Sequence, residues 1–233
     1  MSLQKRGVLS GVGVTASIIA INVIVFLVFS LVGVFFNVSG NPDFFARLSG
    51  FLVLNPLLFF DGYFWTVLTS MFMHVNFTHL LVNMISLLFL GSFVERLIGK
   101  RRYLVFYISA GIIAGLFYVF LAAVGSGVPS TEALFGNLAI SAVGASGAIF
   151  GLGGLLAVLM PRMKVLVFFV IPMRLWMAMV VLMFGLWALS AAASLPVGNS
   201  AHFGGLLVGV VYGFYLRAKF PGKINMLNRM FGR

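Results

Sequence analysis

The chain has 233 residues, of which 62% are hydrophobic and only 8% charged, and its mean hydropathy is +1.15. A soluble domain is about 45–50% apolar and about 25% charged, and a fold of this size has too little interior to hide the excess from water. Soluble, disordered and fibrous architectures are therefore excluded, and the composition defines a polytopic membrane protein whose solvent is the bilayer. The absence of cysteine removes disulfides, thiol nucleophiles and thiolate metal sites together.

Six stretches have the length and apolarity of membrane helices: Thr15–Phe36, Phe77–Val94, Tyr103–Val124, Ala145–Met160, Leu175–Ala193 and His202–Ala218. They predict an all-α, six-transmembrane-helix bundle over residues 15–218, with a short N-terminus (1–14) and a basic tail (219–233) on the cytoplasmic side. No soluble domain is expected at either end. Lys5 and Arg6 precede the first apolar run as in a signal peptide. The run is longer than an h-region of about 7–15 residues and no A-x-A site follows, so it reads as an uncleaved span. The tail sets Phe220, Ile224, Met226, Leu227 and Phe231 among basic residues, a pattern that suits an anionic membrane surface or a frayed end.

Charge placement sets the orientation. The formal net charge is +11. With six spans, fourteen of the fifteen basic residues fall on the side of the termini, and Arg47 alone falls opposite. That segregation follows the positive-inside rule, so the basic excess is an orientation signal and not a nucleic-acid footprint. No internal repeat of the transporter kind is visible. The first outer loop, about residues 37–76, contains Leu48–Phe60 interrupted by Asn55 and Pro56, then Tyr63, Phe64 and Trp65. This stretch is too short to span, and it is expected to lie in the interface or re-enter the membrane.

Polar groups at membrane depth are costly, so each needs a reason. His79 and Asn83 stand one turn apart on one face of the second span, with His74 and Asn76 just before it. Ser146 opens the fourth span within Gly144-Ala145-Ser146-Gly147, and His202 opens the sixth within Ala201-His202-Phe203-Gly204-Gly205. Both spans enter from the outside, so the two residues start at neighbouring depth on parallel helices. Gly147 and Gly151 on one, and Gly205, Gly209 and Gly213 on the other, repeat every four residues and allow close helix approach. A Ser146–His202 hydrogen bond is then feasible, giving serine the base it needs as a nucleophile. The Ser146 N–H at a helix N-terminus, with His79 and Asn83, could meet a developing oxyanion. Asp43, Asp61 and Glu132 lie in outer loops and Glu95 at the inner face, so a Ser–His dyad is expected in place of a triad. Each of these residues alone is also explained structurally, as helix–helix hydrogen bonds, an N-cap or a buried histidine.

Taken together, the segments His74-Val75-Asn76-Phe77-Thr78-His79-Leu80-Leu81-Val82-Asn83, Gly144-Ala145-Ser146-Gly147 and Ala201-His202-Phe203-Gly204-Gly205 with Gly209 resemble the rhomboid intramembrane serine proteases in order, span and side. The resemblance implies Ser146 as nucleophile and His202 as general base. It implies oxyanion stabilisation by His79, Asn83 and the Ser146 N–H beside Gly144, a structural His74, and a half-submerged first loop. It implies other proteins' transmembrane segments as substrates and no cofactor or metal. The chain departs from the pattern at Trp65-Thr66, where some members have Trp-Arg, and at Glu95-Arg96-Leu97, where some have Glu-x-Arg.

Two other readings remain at this point. His74, His79 and His202, all on the outer side, could form a three-histidine catalytic metal site, although no H-E-x-x-H helix exists. The same small-residue faces would also serve a non-catalytic scaffold that binds transmembrane helices. Oligomeric state is not encoded in any recognisable pattern. The short termini suit a prokaryotic plasma membrane.

Overall fold

In a bilayer each backbone polar group must be satisfied within its own segment, which makes helices the default for long apolar runs. The computed structural model describes residues 13–127, 132, 135–167, 170–193 and 198–231. Lys5, Arg6 and Arg233, used above for orientation, lie outside the described residues. All six predicted stretches are helical, and the protein is an all-α membrane protein. Helix α1 covers Val14–Val38. The first loop folds into three short helices, α2 (Pro42–Gly50), α3 (Pro56–Phe60) and α4 (Thr66–Thr69). The second span is α5 (Phe77–Ser86), a π-helical turn over Leu87–Gly91, and α6 (Ser92–Ile98). Helix α7 covers Lys100–Gly125 and α8 covers Ser146–Leu159. Two strands, β1 (Lys164–Val167) and β2 (Ile171–Arg174), pair antiparallel on the inner side of the predicted topology. Helices α9 (Leu175–Ala193), α10 (Asn199–Lys219) and α11 (Pro221–Phe231) follow.

Among the described residues α1, α5–α6 and α7 are long and apolar enough to cross a membrane, and α10 joins them only when taken with α11, to which it is bent by 105°. Helices α8 and α9 are shorter. The six-span arrangement fits this set. At 14 residues α8 is about 21 Å long, less than the roughly 30 Å core. Its burial explains how it tolerates this: Leu152, Leu155, Leu156 and Leu159 are fully buried, so its neighbours are helices and not lipid.

Glycine sets the distance between α8 and α10, the most extensively packed pair of helices. A Cβ on Gly205 would run into the Gly147 carbonyl, and one on Gly209 into the Gly151 carbonyl. On the other side of α8, Cβ atoms at Gly147 and Gly151 would come within 2.8 Å of Ala114 and 3.0 Å of Ala110 on α7. Helix α8 is thus clamped between α7 and α10 by residues that have almost no side chain.

Two long-range devices fix the ends. Glu95 on α6 accepts hydrogen bonds from the Val14 N–H (2.9 Å), the Thr15 N–H (2.8 Å) and the Thr15 hydroxyl (2.7 Å), and so caps α1 from another helix. In the first loop Asn55 is the N-cap of α3, accepting from the Leu57 and Leu58 N–H groups, with Pro56 at the first helical position. The Asn55 amide also donates to the Ala139 carbonyl at 3.1 Å, and Leu54 bridges Ala142 in antiparallel fashion. Phe51, Tyr63 and Trp65 cluster, with the Trp65 indole N–H donating to the Phe51 carbonyl at 2.8 Å. Thr66, at the departure from the Trp-Arg pattern, is buried and donates its hydroxyl to the Tyr63 carbonyl at 2.6 Å. The loop therefore braces the segment that leads into α8.

The described part of the tail is helical over Pro221–Phe231. On α11 Ile224 is buried, and the Asn228 amide donates to the Leu159 carbonyl at the end of α8 (3.0 Å).

Gly205→Ala is expected to cost about 3 kcal/mol or more, at the upper end of overpacking penalties because it meets backbone. Gly185→Ala on α9, where a Cβ meets nothing within 4 Å, is expected to be neutral or mildly stabilising. Thermal unfolding of the two purified variants measures both. Glu95→Ala is expected to lower stability by about 2 kcal/mol in the same assay, through loss of the cap on α1.

Candidate active site

Ser146 is the first residue of α8, after Ala145, and no side chain caps that helix end. Its hydroxyl does not cap the helix either: Oγ lies 2.7 Å from His202 Nε2. Asn199 and Ser200, both buried, start α10 three residues earlier than the sequence pattern indicates. His202 therefore sits one turn inside the helix, and is itself buried. Parallel helices held at backbone contact by glycine bring the two side chains together.

The imidazole is held by the Ser146 hydroxyl at Nε2 and by one aromatic ring on its face. Its ring stacks on Phe150, with centroids 4.6 Å apart and planes 17° from parallel. Phe150 is one turn after Ser146, so a single helix face presents both the hydroxyl and the ring that orients its partner. This residue was not anticipated from the sequence. The i, i+4 spacing from Ser146 is the only signal that could have found it. Next to His202, Phe203 contacts Phe117 on α7 and Trp187 on α9. The buried His202 Nδ1 has no hydrogen-bonding partner among the described residues. All four acids of the chain are described and none reaches it: Glu95 caps α1, Glu132 accepts from the Gly127 N–H and the Asn137 amide, and Asp43 and Asp61 lie in the first loop.

The other residues singled out in the sequence approach from α5 and the preceding loop. Asn76 caps α5, accepting from the His79 N–H at 2.9 Å, and places His79 in the first turn. Gly144 has φ +119°, a conformation that L side chains rarely adopt, and its N–H donates to the Ser70 carbonyl at 2.9 Å. A Cβ there would lie 2.8 Å from the His79 ring and 3.7 Å from Ser146 Oγ. Glycine at 144 thus lets the His79 ring close on the backbone that enters the serine turn. Asn83 is buried one turn below His79, and its amide donates to the His79 carbonyl at 3.0 Å. Gly147 and Gly205 lie at the closest helix contact, described above.

His74 is buried outside the spans, with its ring against His79 (centroids 5.1 Å apart). Burial, and then the neighbouring His79, push its pKa down to about 4, so it is neutral near pH 7. The three-histidine metal reading loses its ligand set here. No group of three His, Asp or Glu side chains placed to hold a metal ion occurs among the described residues, and Nε2 of His202 faces Ser146.

Fold and site together describe a helical membrane protein with a partly buried serine–histidine pair. A family model described as "Rhomboid domain" matches residues 61–219, more than half of the chain. Rhomboid protein 1, mitochondrial, of Saccharomyces cerevisiae is 32% identical over 158 residues, 65% of this chain and 41% of that protein. Rhomboid protease GluP of Bacillus subtilis is 31% identical over 175 residues, 74% of this chain and 30% of that protein. Inactive RHOMBOID-like protein 8 of Arabidopsis thaliana is 36% identical over 72 residues, 31% of this chain and 20% of that protein. The chain belongs to the rhomboid family, a family of intramembrane serine proteases that includes a member named as inactive. It spans about two fifths or less of the length of these relatives.

One consequence concerns acid. His74 has a folded pKa of about 4 against an ordinary 6.5, so below pH 6.5 the unfolded chain takes up a proton that the folded chain refuses. Stability is therefore expected to fall as pH drops from about 6.5 to 4. His74→Asn is expected to flatten that slope, read from unfolding midpoints at a series of pH values.

Proposed function

We propose that this chain is an intramembrane serine endopeptidase that hydrolyses peptide bonds in or near transmembrane segments of other membrane proteins through a Ser146–His202 dyad. The observation that carries the reading is the 2.7 Å contact between Ser146 Oγ and His202 Nε2, in a chain of the rhomboid family. His202 Nε2 accepts the Ser146 proton as Oγ attacks the scissile carbonyl. The resulting oxyanion meets the Ser146 N–H at the start of α8, where the helix leaves donors unused, and the side chains of His79 and Asn83. His202 then gives the proton to the leaving amine. Water, deprotonated by His202, hydrolyses the acyl-enzyme. Phe150 and Gly144 are positioning residues: one holds the imidazole, the other the approach of His79. The role of His74 is structural.

A dyad without an acid has a cost that this arrangement offsets. With no carboxylate on Nδ1, ring orientation depends on the Phe150 stack and on the rigidity of α10. The substrate helix must unwind before attack, because a helical peptide bond is covered by its own side chains and hydrogen bonds. Residues of low helix propensity near the cut lower that cost. On this reading both termini are cytoplasmic, the site faces the opposite side, and the host is a prokaryotic plasma membrane. The charge segregation supports the orientation. The second reading, a non-catalytic scaffold that binds transmembrane helices, is favoured by the existence of a relative named as inactive.

Purified wild type, with EDTA present, is expected to cleave a single-span reporter, and Ser146→Ala and His202→Ala to lose at least about a thousandfold in rate while keeping the wild-type fold. Asn83→Ala is expected to lower kcat about tenfold to a hundredfold through one lost donor. Cleavage retained by Ser146→Ala would reject the nucleophile. A folded wild type that binds reporter helices but never cuts any of a panel would favour the scaffold. Replacing glycine or proline near the cut by leucine is expected to slow cleavage.

A further inference from the structure

On the side of the helices away from Ser146, a cavity of about 780 Å³ lies between the start of α7 and the second half of α10. Three consecutive cations, Lys100, Arg101 and Arg102, line its mouth. Further in, the walls change character. Val105 and Phe106 of α7 face Val208 and Tyr212 of α10, and Phe106 and Tyr212 stack with centroids 5.0 Å apart and planes 20° from parallel. Arg102, Val105, Phe106 and Ser109 recur at helical spacing on one face, so the cavity runs along α7 and does not cross it. From Arg102 to Ser109 the helix rises about 10 Å.

Charge at the mouth is net positive, with three cations near one acid. The acid on the neighbouring helix, Glu95, caps α1 through three hydrogen bonds and also interacts electrostatically with Lys100, so the phosphate is assigned to Arg101 and Arg102. Arg101 and Arg102 are exposed, as is Val105 on the open side. An occupant must therefore be anionic at one end and apolar over the next roughly 10 Å, and it must reach the cavity at a depth where α7 enters the membrane. A free anion satisfies the mouth and leaves the walls bare. A zwitterionic lipid fills the walls and brings a cation of its own to the three already there. A lipid with a net-negative headgroup meets both demands.

We propose that the cavity between α7 and α10 is a binding site for one anionic phospholipid, its phosphate held by Arg101 and Arg102 beside Lys100 and its upper acyl chain laid on Val105, Phe106 and Tyr212. The site is separate from Ser146 and does not depend on the chemistry assigned there. Its occupant bridges α7 and α10, the helices that flank α8, so binding adds to the stability of the folded bundle by mass action.

The test uses the full chain, purified in a non-ionic detergent and stripped of lipid, with thermal unfolding as readout. Phosphatidylglycerol at ten times its Kd is expected to raise Tm by about 3–6 °C, and phosphatidylcholine and inorganic phosphate to leave it unchanged. Arg101→Gln with Arg102→Gln is expected to melt like wild type without lipid and to lose the shift. Val105→Trp, which narrows the cavity and keeps every charge, is expected to lose it too and carries the test if the double variant does not fold. Equal shifts from the two lipids would show a nonspecific lipid belt and overturn the site. The full phosphatidylglycerol shift persisting in either variant would overturn it as well. Inorganic phosphate reproducing the whole shift would reduce it to an anion site and overturn the lipid assignment.

Discussion

The structure depends on two helices touching at their backbones. Where α8 and α10 cross, the Gly147 and Gly151 carbonyl oxygens lie where a Cβ on Gly205 or Gly209 would collide. Lipid gives no hydrophobic force between helices, so their association rests on close packing, and close packing here requires residues without side chains. The consequence for chemistry is distance. A serine on one helix and a histidine on the other span about one side-chain length each, and with the axes this close they meet at 2.7 Å. One added methyl group at the crossing would separate the axes and break the pair.

Scarcity of polar groups shapes everything else. The chain has four acids and three histidines, and several of its polar groups are tied to the backbone of their own or a neighbouring helix. Glu95 caps α1, Asn22 bonds its own helix at Ile18, and Asn83 bonds the His79 carbonyl. With no acid left for His202 Nδ1, an aromatic ring takes over orientation. The stack with Phe150 fixes the plane of the imidazole. The first loop performs the corresponding task for Gly144, tying it to Ser70 and bracing the approach to α8 through Leu54 and Asn55.

Much of this was legible because it is local or periodic. The six apolar runs became helices, with the fifth placed over the same residues, Leu175–Ala193. The glycine spacing by itself marks the contact face, and Asn55-Pro56, an interruption in the apolar run, is an N-cap followed by a first-turn proline. What escaped is nonlocal. A carboxylate capping a helix eighty residues away has no signature in the sequence around either partner. Phe150 looks like any aromatic on an apolar helix until His202 is laid upon it. The start of α10 was set at His202, but Asn199 and Ser200 are taken into the helix because both are buried by neighbours. A three-histidine metal centre was conceivable from residue type and side alone. It fails because His202 points its Nε2 at serine while the His74 ring packs on His79.

Activation of Ser146 by His202 across the glycine contact is the central claim, and an active-site probe tests it without any knowledge of the substrate. The purified protein would be treated with a fluorophosphonate and the adduct located by peptide mapping, in wild type, His202→Asn and Gly209→Ala. The account predicts one labelled serine, Ser146, with labelling lost in His202→Asn and slowed in Gly209→Ala in proportion to the folded fraction that still holds the helices together. Labelling of Ser146 at the wild-type rate in folded His202→Asn, or of another serine in wild type, would contradict it.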